Sequence, residues 1–243
     1  MQVLKLLAMH GRMTASAVGA ELGLHQSSAS RLLRSLQLAG FVYKPDFHSF
    51  GIDYGALLFA GTAMAGFAEM GAAAQVCSDL HARTGYGAAS AVLWEGRLIY
   101  LAFVGPSPDA SLKLVDDSSF SIHQSTLGLC LAAEDGPKIL RSVIAESIRT
   151  AGEEQGTEAV EGVAARTEAA LQTHGFVYFT EYGLNGFNGA VTFETSRGKA
   201  ALALFGSNLG TSPSILKDML DDGARAIESL IERRSRTELP GKG

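Results

Sequence analysis

The first 52 residues hold the feature that most restricts this chain: three helix-length segments and a hairpin, with almost no chain between them. Val3, Leu4, Leu6 and Leu7 are spaced for one face of a helix, and the run stops at Gly11. Thr14 is placed to cap a second helix, with Val18 and Leu22 on its inner face and Gly23 at its end. A third helix starts near Gln26. Its apolar positions Ala29, Leu32, Leu33 and Leu36 follow i, i+3, i+4, i+7, which predicts that all four face inward, and Gly40 ends it. "FVYK" then reads as a strand, "PDFH" as a turn and "SFGI" as a return strand. Three short helices followed by a two-stranded ribbon make a winged helix-turn-helix over residues 1–52.

The third segment, "HQSSASRLLRSL", opens on short hydroxyl side chains and carries two arginines. The second helix of a helix-turn-helix lies in the major groove of DNA, with its N-terminal residues at the base edges. Short side chains there let the helix come close, whereas long ones hold it away. Gln26 can pair bidentately with adenine, and Ser27, Ser28 and Ser30 can hydrogen-bond to bases or phosphates. The helix N-terminus adds free N–H groups for a phosphate. Arg31 and Arg34 follow, where a guanidinium reaches the backbone or a guanine. Serines also open ordinary solvated helices. The flanking "TASAVGAELGL" and "LQLAGFVYK" both fit the winged motif and favour the DNA reading.

Lys44 and His48 are the wing candidates. With no arginine beside them, the wing's phosphate grip is expected to be weak, so affinity must come from pairing subunits. The salt slope should be on the order of −0.9 per phosphate neutralised. The whole chain carries net charge −5, which by itself argues against a nucleic-acid binder. The distribution argues otherwise. Five basic and two acidic residues leave the first fifty positions at +3, and the rest of the chain stands at −8.

Residues 53–83 read as helical in two pieces, broken near Gly66 or Gly71, and are expected to act as a helical linker that helps form a dimer. The stretch "YGALLFAGTAMAGFAEMGAAAQV" is the most apolar of the chain, but "CSDLHARTG" continues it as an amphipathic helix, so no membrane span is expected. From residue 84 the texture changes. "YGAASAVLW", "RLIYLAFVG" and "SLKLV" read as strands, with "WEGR" as a hairpin turn between the first two. "STLGLCLAA" and Pro137–Ala145 read as helices, "AGEEQGT" as a loop and Thr157–His174 as an amphipathic helix. "FVYFTE", "NGAVTFE" and "KAALALFG" are three further strands, and Ser212–Arg236 a closing helix. The fold class is α+β: a winged helix-turn-helix joined by a helical linker to an antiparallel-sheet domain of the PAS/GAF kind over 84–243. Two widely separated cysteines, Cys77 and Cys130, read as reduced thiols of a cytoplasmic protein, and the N-terminus lacks the pattern of a signal peptide.

Taken in order, these segments resemble the IclR family of bacterial transcriptional regulators. "MTASAVGAELGLHQSSASRLLRSLQLAGFV" is similar to the family's DNA-binding segment, with a T-x-x-E-L-A-like helix, a G-L turn, a helix with S/T-x-R-L-L and a G-[FY]-[VL] entry to the wing. "DLHARTGYGAASAVLWEGRLIYLAFV" resembles its L-x-x-x-T-G-E-T region, and "SIHQSTLGLCLAA" its P-L-H-x-T-A-L-G-K-A-L-L-A element. "ALQTHGFVYFTEY" falls where the family has I-R-x-x-G-Y-A-x-D-x-E-E.

The resemblance implies a C-terminal domain that binds a small effector, usually an organic or aromatic acid, and dimers or dimers of dimers on palindromic operators in double-stranded DNA. It implies that Ser125, Thr126 and Gly128 cap a ligand pocket. The chain departs from the family at Leu129, which replaces a lysine, and at Phe179, which stands where a pocket carboxylate would. Asn188 and Gly189 replace an arginine and a cysteine, and Ala203 and Phe205 replace two polar groups. Either the ligand is larger and more apolar, near Phe179, Gly189 and Phe205, or effector binding has been lost and the two rings fill the cavity.

His81, His123 and His174 are scattered, no C-x-x-C is present, and no metal or other cofactor is expected. Ser125, His123 and Asp116 assemble a hydrolytic triad only on paper, without a G-x-S-x-G elbow, and "GLNGFNG" does not follow a strand-to-helix pattern. The sequence therefore predicts a ligand-responsive regulator and no enzyme. Its rivals are a ligand-blind, constitutive DNA-binding dimer, and an enzyme on a GAF-like scaffold whose winged helix only contacts other proteins.

Overall fold

The structure is a computed structural model that describes every residue except 108–109, 111–120, 154–155, 183–185, 208–209, 211 and 238–243. It divides into two compact units, Met1–Phe67 and Ala68–Gly243.

In the first unit α1 (Gln2–His10), β1 (Met13–Thr14), α2 (Ala15–Leu22) and α3 (Gln26–Leu38) precede β2 (Val42–Tyr43), β3 (Ser49–Ile52) and α4 (Ala56–Gly66). Thr14 caps α2 through its hydroxyl oxygen, which accepts from the Ala17 N–H at 3.1 Å. Gly23 ends that helix at φ 63°, ψ 30°, a left-handed conformation that glycine adopts without strain. The Leu24 N–H then returns to the Gly19 carbonyl at 2.8 Å. A Cβ on Gly19 would sit 2.9 Å from the Leu24 carbonyl oxygen, so this glycine lets the turn close tightly. The three strands pair antiparallel in the order β1-β3-β2. The two-stranded ribbon expected from sequence thus gains a third strand, Met13–Thr14, paired with Phe50 and Ser49.

Val3, Leu4, Leu7, Val18, Ala29, Leu33, Val42 and Phe50 form the core of this unit. Of the four positions on α3 expected inward, Ala29 and Leu33 are fully buried and Leu36 packs at the edge. Leu32 is 44% exposed, which corrects the expectation. A helix this short, supported on one side, buries a narrower stripe than the i, i+3, i+4, i+7 pattern assumes.

The segment expected as one linker over 53–83 is shared between the units. Its break falls at Phe67, whose backbone is extended. α4 belongs to the first unit and buries none of its residues.

The second unit opens with α5 (Ala68–Thr84), followed by β4 (Gly87–Trp94) and β5 (Arg97–Val104). Glu95 and Gly96 join these two strands at φ 47° and 73°, the geometry of a two-residue hairpin turn. The strand expected at "SLKLV" lies outside the described residues. A 3-10 turn at Ile122–Gln124 leads into α6 (Thr126–Glu134) and α7 (Pro137–Ala151), the latter longer than expected. Then come α8 (Thr157–His174), β6 (Val177–Tyr182), β7 (Gly186–Thr195), β8 (Gly198–Gly206) and α9 (Pro213–Thr237).

The five strands pair antiparallel in the order β5-β4-β8-β7-β6. Cross-strand register puts Ala89, Ala91, Ala201, Ala203 and Ala190 on one face, which α6, α7 and α8 cover. Small side chains there let α6 seat closely: every residue from Thr126 to Ala132 is buried, and the Cys130 thiol donates to the Ala190 carbonyl at 3.5 Å. The other face carries Leu202 and Leu204 and is covered by α5 and α9. Taken one by one, no helix among the described residues is long and apolar enough to cross a membrane.

Candidate nucleic-acid interface and effector-domain core

The N-terminal ends of α2 and α3 meet the wing, β2–β3 with its connecting turn, around a cleft of about 710 Å³. α3 contributes Gln26, Ser27, Ser30, Arg31, Arg34 and Gln37 along one side, and the wing contributes Lys44, Phe47, His48 and Phe50. Thr14, Ala15 and Ser16 close the third side. Gln26, Ser27, Ser30, Arg31, Arg34, Lys44 and His48, all expected from sequence, are thus brought together. Ser28 is not: it is half-buried and stands off the cleft wall. Among the described residues no carboxylate pairs with Arg31 or Arg34, and both are exposed, so their charge is available to an anionic ligand.

The wing turn is held by Asp46. Its Oδ1 accepts from the His48 and Ser49 N–H groups, each at 2.7 Å, and its Oδ2 accepts from the Ser49 hydroxyl. These hydrogen bonds, the Ser49 hydroxyl first, pull its carboxyl down to about 2. The Lys44 ammonium lies 5.4 Å from the Phe50 ring centroid.

Sequence reasoning missed Thr14, Ser16, Gln37 and Phe47 as members of this surface. The Thr14 and Ser16 hydroxyls are 2.9 Å apart at the start of α2. Gln37 lies on the cleft side of α3 one turn beyond Arg34, so its spacing was a usable signal. Phe47, an aromatic in a hairpin turn, carried no pattern of its own.

The residues expected to hold an effector are divided by the sheet. Thr126, Phe179 and Phe205 lie on the face covered by α6. The Thr126 hydroxyl donates to Asn188 Oδ1 at 2.5 Å, both groups being buried. Ser125 caps α6, its oxygen accepting from the Gly128 N–H at 3.4 Å. Gly128 backs onto Ile122, where a Cβ would come within 3.0 Å of the Ile122 backbone. Gly189 sits on the opposite face of the sheet: a Cβ there would meet Phe176 at 2.8 Å and Leu216 of α9 at 3.1 Å. Its grouping with Ser125 and Phe179 is thereby corrected, because consecutive strand residues point to opposite faces. Phe179 is buried, with the Arg166 guanidinium 4.3 Å from its ring centroid. Phe205 packs against Phe103 at 5.6 Å between centroids and lies over Gly87.

His123 does not approach a Ser125–Asp116 arrangement; Asp116 lies outside the described residues. Instead its Nδ1 is 2.9 Å from the Ser147 hydroxyl, and its Nε2 is 3.2 Å from Glu153 Oε2. Ser147 also accepts the His123 backbone N–H at 3.2 Å. Both side chains are buried, so the cluster ties the segment before α6 to the end of α7 and offers no open nucleophile. Among the described residues no group of three or more His, Cys, Asp or Glu side chains is placed to hold a metal ion.

Residues 1–46 match the sequence model of the IclR helix-turn-helix domain. No curated protein matches the chain by sequence. Among solved structures the chain is similar to an IclR family transcriptional regulator from Brucella abortus, at 17% identity and TM-score 0.73, with 94% of this chain and 89% of that one covered. It is similar to an IclR transcriptional regulator from Alicyclobacillus acidocaldarius, at 20% identity and TM-score 0.67 over 94% and 95% of the two chains. An IclR homolog from Microbacterium hydrocarbonoxydans, solved as a complex with 4-hydroxybenzoate, aligns at 19% identity and TM-score 0.64 over 95% and 98%. At these identities the likeness is one of fold.

Proposed function

The chain opens on an IclR helix-turn-helix domain at residues 1–46, and from that premise we propose a DNA-binding transcriptional regulator that responds to a small effector. The observation that carries the reading is the convergence of Gln26, Ser27, Ser30, Arg31 and Arg34 with Lys44 and His48 on one cleft, where no carboxylate among the described residues pairs with Arg31 or Arg34. α3 enters the major groove, its short side chains read base edges, and Arg31 and Arg34 hold phosphates.

The functional unit is a homodimer or a dimer of dimers on a palindromic operator, in the cytoplasm. α4 supplies the pairing surface: Leu57, Leu58, Phe59 and Met64 are exposed, and no charge lies between Tyr54 and Ala68. A helix apolar all round is stable only when covered. The second unit, a PAS/GAF-like sensor, takes an apolar or aromatic molecule near Ser125, Thr126, Phe179 and Phe205, with the Thr126–Asn188 pair as its polar anchor. The homolog solved with 4-hydroxybenzoate supports an aromatic acid as the first chemistry to try. The chain works without a cofactor and catalyses no reaction.

A gel shift with the promoter region next to its own gene tests the DNA reading. Binding weakened on Arg31→Ala supports it; no shift with any neighbouring promoter contradicts it. The burial of Phe179 beneath Arg166 and the packing of Phe205 on Phe103 favour a second reading, a constitutive regulator with a filled core. Thermal-shift screening of aromatic and short-chain acids separates the two: a ligand that raises the melting temperature supports sensing, and none doing so supports the filled core.

A further inference from the structure

Phe47 sits at the tip of the wing and is 90% exposed, yet it lines the same cleft as Arg31, Arg34 and Lys44. The wing around it is poor in charge. From Lys44 to Phe50 it holds one lysine and one aspartate, Lys44 and Asp46, followed by His48. Asp46 is committed to the His48 and Ser49 N–H groups and the Ser49 hydroxyl. Such a turn grips phosphates only weakly, through Lys44. It can present one ring from a fixed stretch of backbone, because the Asp46 hydrogen bonds hold the His48 and Ser49 N–H groups on the C-terminal side of Phe47.

We propose that Phe47 is an apolar wedge that enters the minor groove of the bound duplex and partly unstacks one base step; this rests on the DNA reading above. With α3 in the major groove, the adjacent phosphate strand occupies the cleft, and the groove beyond that strand is the minor one. The cationic wall of Arg31 and Arg34 commits the cleft to an anionic partner and places the ring next to it. Apolar side chains in this position insert between base steps and bend the duplex away from the protein's minor-groove face. Pyrimidine–purine steps unstack most readily, so the wedge adds sequence preference beside the bases α3 reads.

The test uses the full chain and three 30-bp duplexes, alternating A·T, alternating G·C and alternating I·C, each with a donor and an acceptor dye about 16 bp apart across its centre. Inosine–cytosine keeps the major groove of G·C and the minor groove of A·T. The wedge bends the duplex and predicts a rise in acceptor fluorescence by energy transfer on A·T and I·C but not on G·C, lost in Phe47→Ala with about tenfold weaker binding. Phe47→Leu should keep the rise, and Lys44→Ala should weaken binding without removing it. Equal affinity of Phe47→Ala and the wild type, or no fluorescence rise on any duplex that binds, overturns the wedge and leaves the DNA reading standing. Failure of the wild-type chain to bind any duplex at low salt overturns both.

Discussion

Arg31 combines what a phosphate-holding position needs: a place on the cleft side of α3, exposure, and no carboxylate partner among the described residues. Arg31→Ala should weaken binding to all duplexes alike and reduce the salt slope by about 1, read by fluorescence anisotropy across a salt series. Ser28→Ala should change it little, since that side chain is off the cleft. Asp46 is the wing's positioning residue. Its carboxyl titrates lower in the folded chain, at about 2, than the ordinary 3.8 of a free aspartate, because the Ser49 hydroxyl and the His48 and Ser49 N–H groups bond its charged form. Its contribution is therefore complete above about pH 4 and is lost as the pH falls through 2. Asp46→Asn should raise amide exchange at His48 and Ser49 at neutral pH, without waiting for acid. Burial pushes the Cys77 and Cys130 thiols up to about 12, so neither should react with iodoacetamide at pH 8 until the chain unfolds.

At the scale of elements, α3 divides its duties between Leu33, fully buried, and the polar residues that face the cleft. Leu33→Ala should cost about 2–5 kcal/mol in denaturant unfolding, whereas Leu32→Ser should fall within about 0.5 kcal/mol. α6 is held by a different interaction. Thr126→Val removes the donor to Asn188 and leaves a buried amide oxygen unsatisfied, a loss of about 1–3 kcal/mol.

These elements also show where sequence was readable. Caps and stops lie in single residues, so Thr14 and Gly23 placed α2, and the whole of α8 was legible from its periodicity. β1 was not, because two residues carry no alternation and their pairing with Phe50 and Ser49 depends on chain folded back from the wing. Seven of the eight DNA candidates fell together because they share one helix face or one turn, which local spacing encodes. The effector candidates came apart at Gly189 because the side of a sheet on which a residue lies depends on register with strands far along the chain. The cluster of His123, Ser147 and Glu153 was hidden for the same reason: its members meet only once α7 is in place.

The whole molecule joins a basic head, +3 over its first fifty residues, to a body at −8. The head and the body have separate cores. Under the proposed function the acidic body repels DNA, so reading falls to the head, and few positive charges per head call for two paired heads. α4 is the element with which that pairing is made in this account. Replacing both Leu57 and Leu58 by Glu should turn the chain into a monomer by analytical ultracentrifugation and weaken operator binding by at least tenfold. A dimer that persists would move the interface elsewhere.

The most direct test of the central claim, that the α3–wing cleft reads duplex DNA, is selection from a random duplex pool by the full chain, followed by sequencing. One enriched motif arranged as an inverted repeat is expected, with enrichment abolished in a Gln26→Ala, Arg31→Ala double variant. A pool that stays random, or a motif enriched equally by the double variant, would contradict it.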